Sequence, residues 1–193
     1  WHCTFLNDAN AGAFAEGIGS DLPSSFFYLS LSNTVGGAIF HDGNLLPGDA
    51  FRCGEAGHMT LIPDGKPCYC GKTGCVDAYC SARLLSDLSG GRLEDFFLGL
   101  QQNNPDYRSV WDTYLKHLAV IINNLHMILD YDIVLGGYVG SFLTPWLDTI
   151  RHLVAERNTF EDDGSFVKLC TYQTGAAAYG AAMDVMEEFL RTV

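Results

Sequence analysis

The sequence predicts an α/β fold, because short strand-like runs alternate with segments that carry the 3.6-residue period of a helix. Residues 26–31 and 35–40 are apolar runs of strand length, and residues 41–44 after them form a hairpin turn signal. Residues 107–129 repeat apolar side chains at helical spacing without a proline or glycine. With 193 residues, of which 48% are hydrophobic and 18% charged, the chain is expected to form one domain with a buried core.

The remaining segments continue this alternation. Residues 1–6 are an apolar run of strand type, and the Asn and Asp side chains that follow cap a helix at 11–18. We also predict a helix at 78–88 that ends at a Gly-Gly pair, and a final helix whose small residues at 175–182 allow close approach by another backbone or a flat ligand. The other predicted elements are a buried strand at 132–135, a helix at 141–157 with Pro145 in its first turn, and a strand at 166–171.

The chain is strongly acidic, with 23 acidic against 11 basic residues, a formal net charge of -12 and a pI near 4.6. No broad basic face is therefore expected to neutralise the phosphates of a nucleic acid. The apolar runs are shorter than the roughly 18 residues that a membrane span needs, and no signal-peptide pattern opens the chain. The sequence predicts no membrane partner and no DNA contact by this segment, and the lack of a methionine before Trp1 indicates a fragment.

Four candidate zinc ligands lie on one short stretch of sequence. They are His58, Cys68, Cys70 and Cys75, which together form the donor set of a closed, structural zinc site, and two glycines between them allow the backbone to wrap around the ion. The alternatives are buried apolar cysteines or a disulfide framework. Seven cysteines is an odd number, however, and Cys3, Cys53, Cys80 and Cys170 lie singly in apolar stretches, as reduced thiols do. Structural zinc in a reducing, cytoplasmic compartment is the expectation.

The Gly-Glu-Ala-Gly-His sequence at 54–58 and the Cys-x-Cys-Gly-x-x-Gly-Cys sequence at 68–75 resemble motifs of the ROK family. That family joins sugar kinases and sugar-responsive transcriptional regulators on an actin-like fold. The resemblance covers nearly the whole chain. Residues 7–10 resemble the family's Asn-Asp segment, 28–40 its second phosphate motif, 132–137 its adenosine-side strand and 175–182 its last helix.

The resemblance implies an actin-like ATPase fold of the ribonuclease H-like type. Residues 1–20 would be the end of the N-terminal lobe, and residues 21–193 the C-terminal lobe with a zinc-binding loop at 54–77. The first phosphate loop, or a DNA-binding winged helix, would then precede Trp1. Family members are commonly dimers or tetramers, so a homo-oligomer is expected.

The resemblance also implies a monosaccharide site. Asp8 is the counterpart of the catalytic base, and the counterparts of the sugar-hydroxyl ligands are Asn7, Asp8, Glu55, His58 and Asp77. His58 fits both roles that it is given, because one imidazole nitrogen can bind zinc while the other donates to a sugar hydroxyl. The family usually has glutamate at the position of Asp77, and one methylene less shortens the reach by about 1.3 to 1.5 Å.

The phosphate loop departs from that of the ROK kinases, which reads Gly-Thr-Gly-x-Gly-Gly-Gly. Residues 32–38 here read Ser-Asn-Thr-Val-Gly-Gly-Ala, so three glycines are replaced by residues with side chains where backbone amides must approach phosphate. This resembles the regulators more than the kinases. The positions that correspond to nucleotide-binding residues are Thr34, Gly36, Gly37, Gly136 and Gly137.

Two functional hypotheses follow from the resemblance. The first, which the phosphate loop favours, is the sugar-sensing domain of a ROK transcriptional regulator, with DNA bound only by a segment upstream of Trp1. The second is an ATP-dependent kinase of a hexose or N-acylhexosamine, with Asp8 as base and ATP and magnesium as cofactors.

Overall fold

A computed structural model describes residues 5–192 of the chain, without the side chains at positions 188, 191 and 192. Five strands of this described part form one mixed sheet. In chain order they are β1 (Phe26–Leu31), β2 (Val35–His41), β3 (Asn44–Leu45), β4 (Asp132–Gly136) and β5 (Val167–Leu169). The order across the sheet is β3-β2-β1-β4-β5. Strands β1, β4 and β5 are parallel, and β2 pairs antiparallel with β1 and β3.

Helices cover both faces of this sheet. In the described part they are α1 (Asp8–Gly19), α2 (Asp77–Cys80), α3 (Ala82–Ser86), α4 (Leu93–Gln101), α5 (Pro105–Leu129), α6 (Gly137–Gly140), α7 (Leu147–Ala155) and α8 (Ala176–Thr192). Helices α1 and α8 pack against each other on one face, and the long helix α5 lies with α4 and α7 on the other.

Strand β1 is buried along its whole length, and its side chains alternate between two hydrophobic cores. Phe27 and Leu29 point into the larger core, which α4, α5 and α7 close. Phe26 and Tyr28 point into the smaller core, beneath α1 and the start of α8. A strand covered on both faces needs apolar side chains at successive positions, which explains the unbroken apolar run that the sequence shows there.

Several predicted elements are confirmed. Strand β1 has the predicted bounds, and the predicted turn at 41–44 is made by left-handed backbone at Asp42 (φ 48°) and Gly43 (φ 79°). Helix α1 begins three residues before the predicted start, because Asn7 caps it. The Asn7 Oδ1 atom accepts hydrogen bonds from the N–H of Ala9 at 2.9 Å and of Asn10 at 3.3 Å.

Other helical predictions are wrong in part. The predicted helix at 78–88 is divided, since α2 ends at Cys80 and Ser81 has extended backbone (φ −74°, ψ 152°). The predicted helix at 141–157 starts too early. Helix α7 begins only at Leu147, and Pro145 lies in the 3-10 turn Thr144–Trp146 before it. Helix α4, which has nine residues, was not predicted.

The predicted strand at 1–6 falls mostly on residues 1–4, which lie outside the described residues together with Cys3. The described Phe5 and Leu6 are not part of a strand. Cys80 and Cys170 are buried free thiols, as predicted, and Cys53 is a half-buried one. Within residues 5–192, no helix is long and apolar enough to cross a membrane.

Helices α1 and α8 approach each other closely at Gly180. A Cβ atom at Gly180 would overlap the main-chain carbonyl of Ala11, so the hydrogen of glycine is what permits the contact. Gly180 is therefore explained by the approach of another backbone, one of the two alternatives that the sequence left open.

We expect Gly180→Ala to destabilise the fold by about 1 to 3 kcal/mol, because the methyl group must push the two backbones apart. Thermal unfolding of the purified protein measures this as a lowered Tm. Ala181→Ser, at an exposed position of the same helix, is the matched control and should cost a few tenths of a kcal/mol. Equal Tm values for the two variants would contradict the close contact.

Candidate metal centre and adjoining cleft

The segment 54–77, hereafter the zinc loop, is a compact hydrogen-bonded structure without long secondary elements. Two isolated β-bridges join Thr60 to Cys75 and Pro67 to Thr73. These bridges bring the two arms of the loop together. They therefore place the cysteines of the second arm next to His58 on the first.

A tight turn within the loop places the cysteines. The Gly71 N–H donates to the carbonyl of Cys68 at 3.0 Å, and the Cys68 N–H donates to the carbonyl of Lys72 at 2.8 Å. Gly71 (φ 85°) and Gly74 (φ 79°) both have left-handed backbone, and a Cβ atom at Gly74 would overlap the carbonyl of Ile62. The two glycines are needed for this path of the chain, as the sequence predicts.

The structure brings the four predicted ligands together. One candidate ligand atom from each of His58, Cys68, Cys70 and Cys75 lies within 4.8 Å of all the others. The Sγ atoms of Cys70 and Cys75 are 3.8 Å apart. Two sulfurs at a tetrahedral angle on Zn–S bonds of about 2.3 Å are separated by about 3.8 Å, whereas a disulfide requires about 2.05 Å. The cluster therefore fits a tetrahedral zinc ion.

The thiols of the cluster differ in acidity. Burial raises the pKa of the Cys75 thiol to about 12, and the neighbouring sulfurs of Cys68 and Cys70 add to this effect. The backbone N–H of Lys72 lowers the pKa of the Cys70 thiol. A divalent cation would offset the cost of placing three thiolates together, so zinc binding would release protons and weaken as the pH falls.

His58 lies at the exposed side of the cluster. It ends the 3-10 turn Ala56–His58, which follows Glu55. The His58 Nε2 atom is 3.2 Å from the hydroxyl of Tyr69, so Nδ1 is the nitrogen that remains for a metal ion. Partial burial and then the charge of Asp77 raise the pKa of the Tyr69 phenol, which therefore stays protonated.

Asp77 joins the zinc loop to the sheet. It is 7% exposed, and its Oδ1 atom accepts a hydrogen bond from the N–H of Val35, the first residue of β2, at 2.6 Å. Gly57 lies against the same residue, since a Cβ atom there would overlap the Val35 carbonyl. The predicted sugar ligand Asp77 thus uses one of its oxygens to hold the start of β2.

Asn7 and Asp8 approach the start of β2 from α1. Asn7 is the helix cap, and the Asp8 Oδ1 atom accepts a hydrogen bond from the N–H of Ala9 at 2.8 Å. A Cβ atom at Gly36, the second residue of β2, would be 3.3 Å from the methyl group of Ala9. The five predicted sugar-site residues therefore lie on two segments, the α1 start and the zinc loop, and both segments contact the first residues of β2.

Asp8 also lines a cleft of about 130 Å³ at the carboxyl ends of the parallel strands. Ser32 from the loop after β1, Gly137 after β4 and Thr174 after β5 contribute to its walls. A second cavity of about 290 Å³ lies beside it, and Tyr138 and Thr174 line both. The other walls of the second cavity include Asn33, Ala82, Ser86, Leu93 and Phe142. A small polar cleft therefore opens beside a larger and more apolar one.

The predicted nucleotide-binding residues are only partly in this region. Gly137 lines the cleft with left-handed backbone (φ 76°), and a Cβ atom there would be 2.7 Å from the Ser32 Oγ atom. Thr34 is exposed. Gly36, Gly37 and Gly136 are needed for packing, respectively against Ala9, the carbonyl of Gly54 and the ring of Tyr28.

Three residues of this region were not predicted from the sequence, namely Tyr69, Tyr138 and Thr174. Tyr138 follows β4 and Thr174 follows β5, and ligand clefts of open α/β sheets form at the carboxyl ends of such strands. That rule, applied to the predicted strands, would have pointed to both residues. Tyr69 had no signal apart from its place between two candidate zinc ligands.

We expect purified protein to contain about one zinc ion per chain, and Cys70→Ser to lower this content and the Tm, because a thiolate ligand is lost. Elemental analysis and thermal unfolding measure the two effects. Cys53→Ser, outside the cluster, is the matched control and should retain zinc. Metal-free, folded protein in which Cys68, Cys70 and Cys75 are titratable thiols would contradict the assignment.

Comparison with known proteins gives relatives along the whole sequence. The N-acetylmannosamine kinase of Escherichia coli O7:K1 is 32% identical, with 96% of this chain and 65% of that protein covered. The N-acetylmannosamine kinase of Vibrio cholerae serotype O1 (strain ATCC 39541) is 31% identical, with 71% of this chain and 50% of that protein covered. The chain thus spans about half to two thirds of the length of these relatives.

Solved structures confirm the predicted actin-like α/β fold. A ROK family glucokinase from Streptomyces griseus, in complex with glucose and AMPPNP, superposes with a TM-score of 0.79 at 23% identity, covering 93% of this chain and 67% of that chain. A ROK family transcriptional regulator, a homologue of the E. coli MLC protein, superposes with a TM-score of 0.76 at 24% identity. The match covers 92% of this chain and 50% of that chain. The ROK family model matches residues 1–188, and this chain therefore belongs to the ROK family.

Proposed function

We propose that this chain is the monosaccharide-binding part of a ROK protein, and that a structural zinc ion fixes its sugar site. The observation that carries this proposal is the cluster of His58 with three cysteines, which fits zinc and adjoins Glu55 and Asp77 in sequence. Zinc on Nδ1 of His58 would leave the Nε2–H group free to donate to a sugar hydroxyl. Glu55 would accept from a second hydroxyl, and Asn7 and Asp8 would contact the sugar from α1.

Within the family we propose a sugar sensor, in which binding changes the disposition of the two lobes, rather than an efficient kinase. The support comes from the loop after β1. Phosphate-wrapping loops use glycines with left-handed backbone to bring successive amides to the ligand. Positions 32–34 carry Ser, Asn and Thr, and none of these three has positive φ.

The alternative is an ATP-dependent sugar kinase, and one observation favours it. Asp8 lines the same cleft as Ser32 and Gly137, and the larger cavity beside that cleft is lined by Leu93, Phe142 and Tyr138. A phosphate chain at the first site and a nucleoside at the second would place Asp8 where it accepts the proton of the attacking hydroxyl. The kinase names of the sequence relatives agree with this alternative.

The remaining properties that we propose follow from the family and from the cysteines. Free thiols suit a reducing, cytoplasmic compartment. We propose a homo-oligomer, with residues 1–20 as the end of an N-terminal lobe and 21–193 as the C-terminal lobe. In a regulator, DNA would be contacted by a segment upstream of Trp1, because this chain is itself strongly acidic.

We expect full-length protein to gain thermal stability with a monosaccharide, and Glu55→Ala to abolish the gain while the fold and the zinc content remain. The probes are glucose, mannose and the N-acetylated hexosamines, tested by thermal shift and calorimetry. Glu156→Ala is the control, because Glu156 is an exposed acid on the surface next to α7 whose ion pairs contribute little. A parent protein that none of these sugars stabilises or binds would remove the support for the site.

We further expect full-length protein to bind sugar but to transfer phosphate from ATP poorly or not at all. Each lost amide contact to phosphate removes a charge-assisted hydrogen bond worth roughly 1.5 to 3 kcal/mol, which weakens nucleotide binding by orders of magnitude when several are lost. Steady-state kinetics with Mg-ATP and the best-binding sugar test this. Turnover of about 1 s⁻¹ or more, abolished by Asp8→Asn, would establish the kinase instead.

A further inference from the structure

Tyr69 contacts the atom of His58 that the proposed function assigns to the sugar. Its hydroxyl lies 3.2 Å from the His58 Nε2 atom, and its ring meets the imidazole edge-on, with ring centroids 5.3 Å apart and planes at 61°. Tyr69 is nevertheless 66% exposed, so little protein covers this contact. The contact is therefore at the surface, where a ligand has access to it.

The position of Tyr69 in the chain limits how it can move. It stands between Cys68 and Cys70, and the turn that follows is closed by hydrogen bonds from Gly71 and to Lys72. With both flanking thiolates on a zinc ion, the backbone of Tyr69 would be held on each side. Rotation about its two side-chain torsions is then the motion by which the phenol can leave His58.

His58 can make only one such hydrogen bond at a time. With Nδ1 on the metal, Nε2 carries one hydrogen, and that hydrogen has one good acceptor. The Tyr69 hydroxyl oxygen accepts it in the ligand-free protein. A sugar hydroxyl directed at the same nitrogen must replace the phenol before it gains the bond.

We propose that Tyr69 is an affinity-determining residue of the sugar site, whose hydroxyl holds the His58 Nε2 position until a sugar hydroxyl displaces it. This rests on the proposed function, since it needs a sugar that reaches His58. The phenol lowers the affinity, because its own hydrogen bond to the imidazole is lost when the sugar binds. Tyr69 thus sets the sugar concentration at which the site fills.

The test is calorimetric titration of full-length, zinc-loaded protein with N-acetylmannosamine and with glucose. We expect Tyr69→Phe to lower the Kd of the sugar that binds by about two- to tenfold, because one neutral hydrogen bond no longer competes. Zinc content should stay equal to that of the parent, which separates this effect from damage to the metal site.

Tyr131→Phe is the matched control. Its hydroxyl makes the same kind of contact, to the His41 Nδ1 atom at 2.5 Å, but at the far end of β2 from Val35. This variant should leave the Kd unchanged. If Tyr69→Phe weakens sugar binding or leaves it equal to the parent, Tyr69 is not a competitor, and the proposal fails while the sugar site stands. If neither parent nor Tyr69→Phe binds either sugar, the sugar site and this proposal fail together.

Discussion

The hydrogen bond from the Val35 N–H to the buried carboxylate of Asp77 connects the zinc loop to the sheet. Asp77 closes the zinc loop and opens α2, whereas Val35 closes the loop at 32–34 and opens β2. Loss of the carboxylate would leave a buried N–H group without a partner, at a cost of about 1 to 3 kcal/mol. This contact therefore holds the zinc loop to the sheet together with Ala56 and Val76, which are buried in the larger core.

The other half of the site is held from the opposite face of the sheet. Glu16 of α1 is completely buried, and its Oε1 atom accepts a hydrogen bond from the N–H of Tyr172 at 2.9 Å. That bond ties α1, and with it Asp8, to the segment that carries Thr174 into the cleft. The close contact of α1 with α8 also holds α1 in place. Asp8 is thus fixed against the cleft by packing and by a buried polar contact, which is the support that a ligand-binding carboxylate needs.

The sequence was sufficient to predict features that depend on neighbouring residues or on the burial of one segment. The clustering of His58 with three cysteines could be predicted because soft donors, glycines and spacing all occur within one loop, and β1 could be predicted because burial on both faces demands an apolar run. Only the places of Tyr138 and Thr174 after predicted strands could be read from the sequence, because their meeting in one cleft depends on the pairing of β4 with β1 and β5. The helix break at Ser81 could not be predicted for a related reason. It depends on tertiary contacts, such as the bond from the Ala82 N–H to the Ser32 carbonyl at 2.7 Å, and not on local propensity.

The aspartate at position 77 bears on how the sugar site differs from that of the family. A glutamate there could reach past the sheet toward a ligand, but Asp77 is shorter by one methylene, about 1.3 to 1.5 Å, and one of its oxygens is engaged by Val35. In the proposed sugar site, only its second oxygen would be available to a sugar. Glu55 and His58, which are exposed on the same loop, would then supply more of the recognition in that proposed site. Because Tyr69 contacts His58, the proposed influence of position 69 on affinity would be larger with aspartate than with glutamate at position 77.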